Sequence, residues 1–313
     1  MRTVFVSHND LGLACLEELH ALGADIAAIL TRPREESIAD QTRFDDIAER
    51  TGAPLHEVES VNTDAVVERL RGYDPELLYV VGWSRLVEQR VIDVPRVAAL
   101  GMHPAPLPRG RGRAPIAWSL IKGLDETALS MFHLVEAADA GDIVAQQPID
   151  IALEDDAASL YEKVVAAGRE LVRETYPRFA AGEVPRQPQD EADATWWPKR
   201  TPAQGGIDWR QPPRQVYDWI RGQSHPYPGA FSTLDGRRVT VWAAAPPDEE
   251  TVCCRPGEIL GRDGQRLRVG AWEGAIELTR VQVEGEPEMP AGDLLGYDWV
   301  EVGDAFEPLR SRD

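Results

Sequence analysis

Short runs of apolar residues alternate with amphipathic segments over the first hundred positions of the chain. The runs have the length of buried strands, and the segments between them have the period of helices with one apolar face. The predicted strands are Thr3–Ser7, Ile26–Leu30, Leu77–Val81 and Val97–Met102, and the predicted helices are Asp10–Leu22, Phe44–Thr51 and Thr63–Arg71. This alternation predicts an α/β fold with a doubly wound, Rossmann-like sheet of parallel strands.

The pattern changes after residue 115. A helix is predicted at Pro115–Gly123, followed by strands at Leu129–Val135 and Ile143–Ile151 and a long amphipathic helix at Ser159–Ala181. The chain then becomes rich in Pro, Gln, Asp and Gly, which is typical of a linker. Short apolar runs between Gly and Asp turns follow and predict a smaller β-barrel of the OB type. We therefore expect a catalytic α/β domain at 1–182, a linker at 183–205 and a C-terminal β-barrel domain at 206–313.

Composition narrows the classes of partner. The chain has 313 residues, a formal net charge of −20 and 43% hydrophobic residues. Such an acidic chain is not suited to purely electrostatic binding to nucleic acid or to an anionic membrane. Only three of its 33 basic residues are lysines. An acid-rich, lysine-poor chain is typical of a halophile-like acidic proteome, and arginine bias from a GC-rich genome on an ordinary acidic surface is the alternative.

The cysteines and the absence of long apolar stretches indicate a location. Cys15, Cys253 and Cys254 lack the spacing of metal ligands, so we expect no metal site and a reducing compartment. No apolar stretch approaches the ~20 residues that a membrane span requires. We expect a cytoplasmic protein with small-molecule partners and no membrane partner, and we leave a homodimer open.

One histidine and one acid stand where a catalytic site would form. His103 follows the strand Val97–Met102, and the ligand crevice of a doubly wound sheet lies at the carboxyl ends of its strands. Asp139 lies 36 residues further on, in the loop after the next predicted strand. A carboxylate beside an imidazole fixes its tautomer and raises its pKa by favouring the charged form. Capping of a strand end by His103 and a turn position for Asp139 are the purely structural alternatives.

The loop after His103 concentrates positive charge in an otherwise acidic chain. Arg109, Arg111 and Arg113 would suit a ligand that carries carboxylate or phosphate groups. The neighbouring prolines, Pro104, Pro106, Pro108 and Pro115, stiffen this loop. Four tryptophans further along, Trp196, Trp197, Trp209 and Trp219, form either a stacking surface for a base or sugar or, more often for such residues, packing.

The segments Gly101–Pro115 and Ala138–Asp142 resemble the signature of the folate-dependent formyltransferases, in which Asn-x-His precedes Leu-Pro and Arg-Gly, and Asp-x-Gly follows. Ser7–Gly12 after the first strand, Ile143–Gln146 and Pro228–Phe231 match in the same order along the chain. This methionyl-tRNA formyltransferase-like family has sugar-modifying members. The segments are most similar to the sugar N-formyltransferases, such as the domain that formylates UDP-4-amino-4-deoxy-L-arabinose.

The resemblance implies a transferase that uses 10-formyltetrahydrofolate as co-substrate and formylates the amine of a nucleotide-linked amino sugar. It makes His103 the proton-transferring catalytic residue and Asp139 the catalytic acid that raises its pKa. The residues that it assigns to the folate pocket are Arg85, Leu86, Val87, Arg113, Val135, Glu136, Ala137, Ala138 and Asp139.

Gly101 departs from the family pattern, because the family places there the asparagine whose amide holds the formyl oxygen. Loss of one such donor typically costs roughly 10²- to 10³-fold in rate. Three readings follow: a slower enzyme, altered chemistry, or a donor supplied elsewhere, such as a backbone N–H near Gly101 or an arginine of the loop. We favour the last, and we expect Gly101→Asn to preserve or raise turnover.

Three alternatives to this function stay open or are disfavoured. Formylation of initiator methionyl-tRNA needs a second domain that grips tRNA, yet residues 205–313 carry 12 arginines, no lysine and 19 acidic residues, a net charge of −7. A diverged, non-catalytic folate-binding homologue is disfavoured because His103 and Asp139 are both present. A nicotinamide-dependent enzyme is disfavoured because Ser7–Gly12 lacks Gly-x-Gly-x-x-Gly.

Overall fold

A computed structural model describes residues 1–35, 41–83, 85–248 and 253–307. The chain divides into two compact units. The first comprises Met1–Pro115, Glu126–Asp150 and Tyr161–Pro198, and the second comprises Ile116–Asp125, Ile151–Leu160 and Lys199–Asp313. Within the described residues, no helix is both long and apolar enough to cross a membrane.

Seven strands of the first unit form one sheet. They are β1 (Arg2–Val6), β2 (Asp25–Thr31), β3 (Leu55–Glu57), β4 (Leu77–Val80), β5 (Ala98–His103), β7 (Glu126–His133) and β8 (Ile143–Asp150), in the spatial order β3-β2-β1-β4-β5-β7-β8. The pairs from β3 to β5 are parallel. Two further strands, β6 (Arg111–Gly112) and β9 (Trp196–Trp197), pair with each other in parallel.

Helices cover the connections of this sheet. They are α1 (Asp10–Ala21), α2 (Asp45–Thr51), α3 (Asp64–Tyr73), α4 (Gln89–Ile92), α5 (Pro115–Ile121) and α6 (Ala157–Ala180), the last two of which extend across the division between the units. Asn9 caps α1 by accepting a hydrogen bond from the Gly12 amide. Val4, Val6, Leu30, Leu78 and Val80, on the central strands, pack in one buried cluster with Val66, Val67 and Leu70 of α3. Apolar burial of this kind is the main stabilising term of such a fold.

The predicted Rossmann-like fold class is confirmed, and the sheet is mixed at one edge. β7 pairs antiparallel with both β5 and β8, so β7 and β8 form a hairpin. Strand periodicity carries no information on strand direction, because parallel and antiparallel strands alternate side chains in the same way. The hairpin loop, residues 134–142, contains Asp139.

The second unit contains α7 (Pro213–Arg221) and an antiparallel sheet. Its strands are β10 (Ala230–Leu234), β11 (Arg237–Ala244), β12 (Ile259–Asp263), β13 (Arg266–Ala271), β14 (Gly274–Val283) and β15 (Met289–Pro290), in the order β10-β11-β14-β13-β12 with β15 on β14. Trp209 lies in the core of this unit, stacked on Phe306, and donates a hydrogen bond to Ser232. The expectation of a smaller C-terminal domain built on β-strands is therefore confirmed as an antiparallel sheet with α7, and the OB-type barrel stays a prediction.

The boundaries of the predicted domains remain predictions, and the contacts refine the picture of the linker. The segment Tyr161–Pro198 belongs to the first unit, so the part of the predicted linker from residue 183 to residue 198 is grouped with that unit. Most of the segment from residue 183 to residue 198 is held by single hydrogen bonds rather than by a helix or a long strand pairing. Its sequence therefore shows neither a helical nor a strand period.

Candidate functional site

The site is built at the end of strand β5. The last residue of this strand is His103, whose side chain is 8% exposed. The ring Nε2 lies 2.8 Å from the carbonyl oxygen of Gly110. Since a carbonyl oxygen only accepts, Nε2 carries a hydrogen and donates it. The other ring nitrogen, Nδ1, faces Asp139 with a distance of 3.8 Å to Oδ2. Both ring nitrogens therefore face oxygen atoms, the Gly110 carbonyl on one side and the Asp139 carboxylate on the other.

Asp139 is held in an unusual backbone conformation. Its φ angle is +55°, in the left-handed region that residues other than glycine seldom adopt. Its Oδ2 accepts a hydrogen bond of 2.9 Å from the Gly112 amide. Gly112 itself has a φ angle of +109°, and a Cβ atom at this position would lie 2.4 Å from the carbonyl oxygen of Trp197. Only glycine fits there, so the Arg-Gly of the sequence motif brings an amide to the Asp139 carboxylate.

Every backbone N–H group in the loop from His103 to Arg113 donates a hydrogen bond. Residues 104, 106 and 108 are prolines, and the amides of residues 105, 107, 109, 110, 111, 112 and 113 all donate to acceptors within the first unit. Ser130 and Gln146, on the β7–β8 hairpin, hold the loop through Ala105 and Leu107. The loop is therefore rigid, and its backbone has no amide left for the formyl oxygen.

The three arginines of the loop have different environments. Arg109 and Arg113 are exposed. Arg111 is 2% exposed, and its guanidinium donates to Gln189 and Glu191. The hydrogen bond from Arg111 holds the pKa of the Glu191 carboxyl below its usual value. Arg111 is thus a buried structural cation, which corrects the expectation that all three arginines are available to a ligand.

Gly101 lies two residues before His103, so both positions face the same side of the sheet. A Cβ atom at position 101 would lie 2.8 Å from Leu134 Cδ2 and 3.1 Å from Phe132 Cζ. Leu134 and Phe132 thus occupy the space into which the family asparagine would extend, packed with Leu107 and Ile143.

Most residues expected to bind folate lie in two loops, and Arg113 lies in the loop that follows His103. Arg85, Leu86 and Val87 follow β4, and residues 135–139 follow β7. Leu86 is 66% exposed and Val135 is 41% exposed, and both belong to the small set of large apolar side chains that the described residues expose. Val87 instead packs into the core of the first unit, and Arg85 donates to the carbonyl oxygen of Glu59. Glu136 and Ala137 are exposed, and Ala138 is half-buried.

The residues that the sequence analysis missed lie in the expected linker. Thr195 accepts at its Oγ1 from the Gly110 amide and at its carbonyl from the Arg111 amide, and Gln189 contacts the Asp139 loop. Trp196 and Trp197 form β9 beside the site loop; Trp197 packs against Gly110, whereas Trp196 is 56% exposed. No motif distinguishes these residues, because their neighbours in space are distant in sequence.

Together, the sheet and the pair of His103 and Asp139 define the class of α/β proteins that place a histidine beside a carboxylate at the end of a central strand. Residues 4–175 match the formyl transferase family model, and residues 199–297 match the model of the formyl transferase C-terminal domain. The chain belongs to the formyl transferase family and is a folate-dependent formyltransferase.

Three relatives describe the range of this family. A methionyl-tRNA formyltransferase from Geobacter metallireducens is 32% identical over 306 residues, which cover 96% of each chain. HypX from Aquifex aeolicus, solved in complex with tetrahydrofolic acid, is 22% identical with a TM-score of 0.66; the match covers 97% of this chain and 50% of HypX. WlaRD, a sugar 3N-formyl transferase solved with dTDP and 5-N-formyl-THF, is 10% identical with a TM-score of 0.69, over 92% of this chain and 99% of WlaRD. This chain spans about half the length of HypX, and both structures support the fold alone.

Proposed function

We propose that this protein transfers the formyl group of 10-formyltetrahydrofolate to the primary amine of a nucleotide-linked amino sugar. The observation that carries the proposal is the pairing of His103 with Asp139, at 3.8 Å, inside the segment that matches the family model. A formyltransferase needs one group that moves a proton between two nitrogens and one that stabilises the charge on that group.

The proposed reaction balances without any further reactant. The acceptor nitrogen attacks the formyl carbon, a C–N bond forms, and a tetrahedral oxyanion results. Collapse of this intermediate breaks the bond between the carbon and N10 of the folate. The amine loses one proton and N10 gains one, and we assign the transfer to His103 while the Asp139 carboxylate stabilises the imidazolium.

The folate would lie against the two loops that follow β4 and β7. Leu86 and Val135 expose apolar surface that a pteridine ring could cover, and the exposed Arg113 could pair with a carboxylate of the folate tail or with the oxyanion. These assignments come from the sequence motif, and the exposure of the two apolar side chains supports them.

Charge supports a small acceptor over a tRNA. Residues 205–313 carry a net charge of −7, and nucleic-acid binding relies on neutralising phosphates with cations. A nucleotide sugar carries only two phosphates and needs few cations. Cys15, Cys253 and Cys254 form no disulfide among the described residues, which fits a reducing, cytoplasmic location for this activity.

Formylation of initiator methionyl-tRNA is the second candidate. The observation that favours it is the 32% identity to a methionyl-tRNA formyltransferase along 96% of both chains. A chain adapted to high salt could bind tRNA despite its acidic surface, so charge alone does not exclude this acceptor.

Purified protein supplied with 10-formyltetrahydrofolate and a panel of UDP- and dTDP-linked amino sugars tests the proposal. Release of tetrahydrofolate with one of these sugars, well above that of the His103→Ala variant, is the expected result. Release only with methionyl-tRNA would replace the first candidate with the second. Release with neither acceptor, from folded protein that binds folate, would refute both.

A further inference from the structure

A single amide side chain links the two loops of the site. Gln189 lies in the stretch that follows α6, within the first unit. Its Nε2 donates to the carbonyl oxygens of Asp139, at 2.8 Å, and Gly141, at 2.7 Å. Its Oε1 accepts from Arg111 Nε at 3.1 Å and from Nη2 at 2.8 Å. Both hydrogens of Nε2 and both lone pairs of Oε1 are thus engaged by the two loops.

Arg111 is fixed independently of Gln189. Its guanidinium also donates to both carboxylate oxygens of Glu191, at 3.0 and 2.7 Å, and it lies over the Trp196 ring at 5.8 Å. Its backbone amide donates to the Thr195 carbonyl. Because a buried guanidinium held at several points cannot shift without losing charge-assisted hydrogen bonds, Arg111 is a fixed support for the Gln189 amide.

The Asp139 loop needs such a support. Asp139 has a φ angle of +55°, and conformations of this kind cost of order 1–3 kcal/mol and persist only where surrounding contacts enforce them. Gln189 restrains its backbone from one side, and the Gly112 amide restrains its carboxylate from the other. Gly112 directly follows Arg111, so both restraints lead back to the same two residues of β6.

From these contacts we infer that Gln189 is a positioning residue that sets the Asp139 carboxylate against His103. It does not need to touch substrate: it fixes the peptide that carries the carboxylate. A displacement of about 1 Å in a reacting group can cost about 10²-fold in rate. The inference rests on the proposed roles of His103 and Asp139. It requires the side chain at position 189 to be both a hydrogen-bond donor and a hydrogen-bond acceptor.

The substitution Gln189→Glu separates these two requirements. A glutamate has the same shape and keeps an acceptor for Arg111, but an ionised carboxylate has no hydrogen to donate to Asp139 and Gly141. Gln187→Glu is the matched control, because it makes the same change of charge two residues away. The Gln187 side chain is exposed, and its backbone alone bonds to Ile143.

We expect Gln189→Glu to lower kcat about 10- to 100-fold with the KM for the folate within about twofold of wild type, the range typical of residues that orient a catalytic group. Its pH profile should resemble that of Asp139→Asn, and in the Asp139→Asn background it should have little further effect. Gln187→Glu should retain wild-type kcat. An unchanged kcat for Gln189→Glu, an additive loss in the double variant, or an equal loss in Gln187→Glu would overturn the inference.

A second readout does not depend on the acceptor. The ring resonances of His103 can be identified by NMR from their loss in His103→Ala. They should shift in Gln189→Glu in the same direction as in Asp139→Asn, and should stay in place in Gln187→Glu. A failed acceptor assignment would appear in the wild-type assay, before any variant is compared. If Gln189→Glu does not fold, Gln189→Asn keeps the amide and shortens its reach, and the same shift is expected; unchanged His103 resonances would refute the inference.

Discussion

Gly101 has no side chain because Leu134 and Phe132 already fill the space beside it. A Cβ atom there would lie within 2.8 Å of Leu134 Cδ2. The chain has therefore exchanged the family amide for apolar packing at the same face of β5 that carries His103. The expectation from sequence that Gly101→Asn preserves turnover took no account of these neighbours.

We now predict that Gly101→Asn alone lowers stability by about 1–3 kcal/mol, the usual cost of overpacking, and does not raise turnover. Removing the obstructing group in Gly101→Asn/Leu134→Ala should give a higher kcat than Leu134→Ala alone. Urea unfolding and steady-state kinetics on the three variants measure both effects. A single variant that is faster than wild type and equally stable would show that the side chains move aside at little cost.

The backbone amides from Ala105 to Arg113 are all engaged, so we expect a side chain to supply the oxyanion donor. Arg113 directly follows the Gly112 amide that holds Asp139, and its guanidinium is exposed. We predict that Arg113→Ala lowers kcat about 10²-fold, the usual cost of one such donor. Arg109→Ala is the comparison with the same change of charge in the same loop. A larger kcat loss in Arg109→Ala would assign the donor to Arg109 instead.

At the scale of elements, periodicity predicted most helices and strands of both units, and two kinds of feature escaped it. The short strand β3 was missed because three residues are too few to show a period. In α1, leucines recur every three residues from Leu13 to Leu22, yet the structure buries Leu11 and Cys15 with Leu16 and Leu19. A face read at intervals of three drifts from the 3.6-residue period of a helix.

His133, the last residue of β7, should make the stability of the protein depend on pH. Burial lowers the pKa of His133, whose Nε2 donates to the Pro185 carbonyl at 2.9 Å. An unfolded chain takes up this proton near pH 6.5, but the folded chain does so only at lower pH. Between those two values the unfolded state binds more protons, so stability falls as the pH falls; above pH 6.5 this penalty is absent.

We expect His133→Gln, which is neutral and can still donate, to lose less stability than wild type between pH 7.5 and pH 5.5. Urea unfolding of both proteins at the two pH values measures the difference, because the other titrating groups are common to both. Equal losses in the two proteins would show that His133 is protonated without cost in the folded state.

At the scale of the whole molecule, the net charge of −20 is the dominant property. Repulsion between carboxylates destabilises the compact state, and salt screens it over a Debye length of about 10 Å at 0.1 M and about 3 Å at 1 M. On an ordinary acidic surface, most of this screening is complete by a few tenths molar. A chain adapted to high salt continues to gain stability above that concentration.

We predict that the Tm rises between about 0.02 and 0.3 M KCl and continues to rise to about 2 M. This is the behaviour expected of a chain adapted to high salt. Thermal unfolding in KCl, rather than in a sulfate that stabilises most proteins, measures this. A plateau by about 0.3 M would favour arginine bias on an ordinary acidic surface.

The sequence by itself determined the α/β alternation, the two-part organisation, and the histidine, acid and glycines of the site, because these depend on local periodicity and on a motif with fixed spacing. Only the tertiary structure decided that β7 runs antiparallel, that Arg111 is buried, that Leu134 fills the space beside Gly101, and that Gln189 holds the Asp139 loop. Each of these depends on contacts between residues that are far apart in sequence. The pattern of a single segment reports which of its side chains are buried, but not which distant residue lies against them.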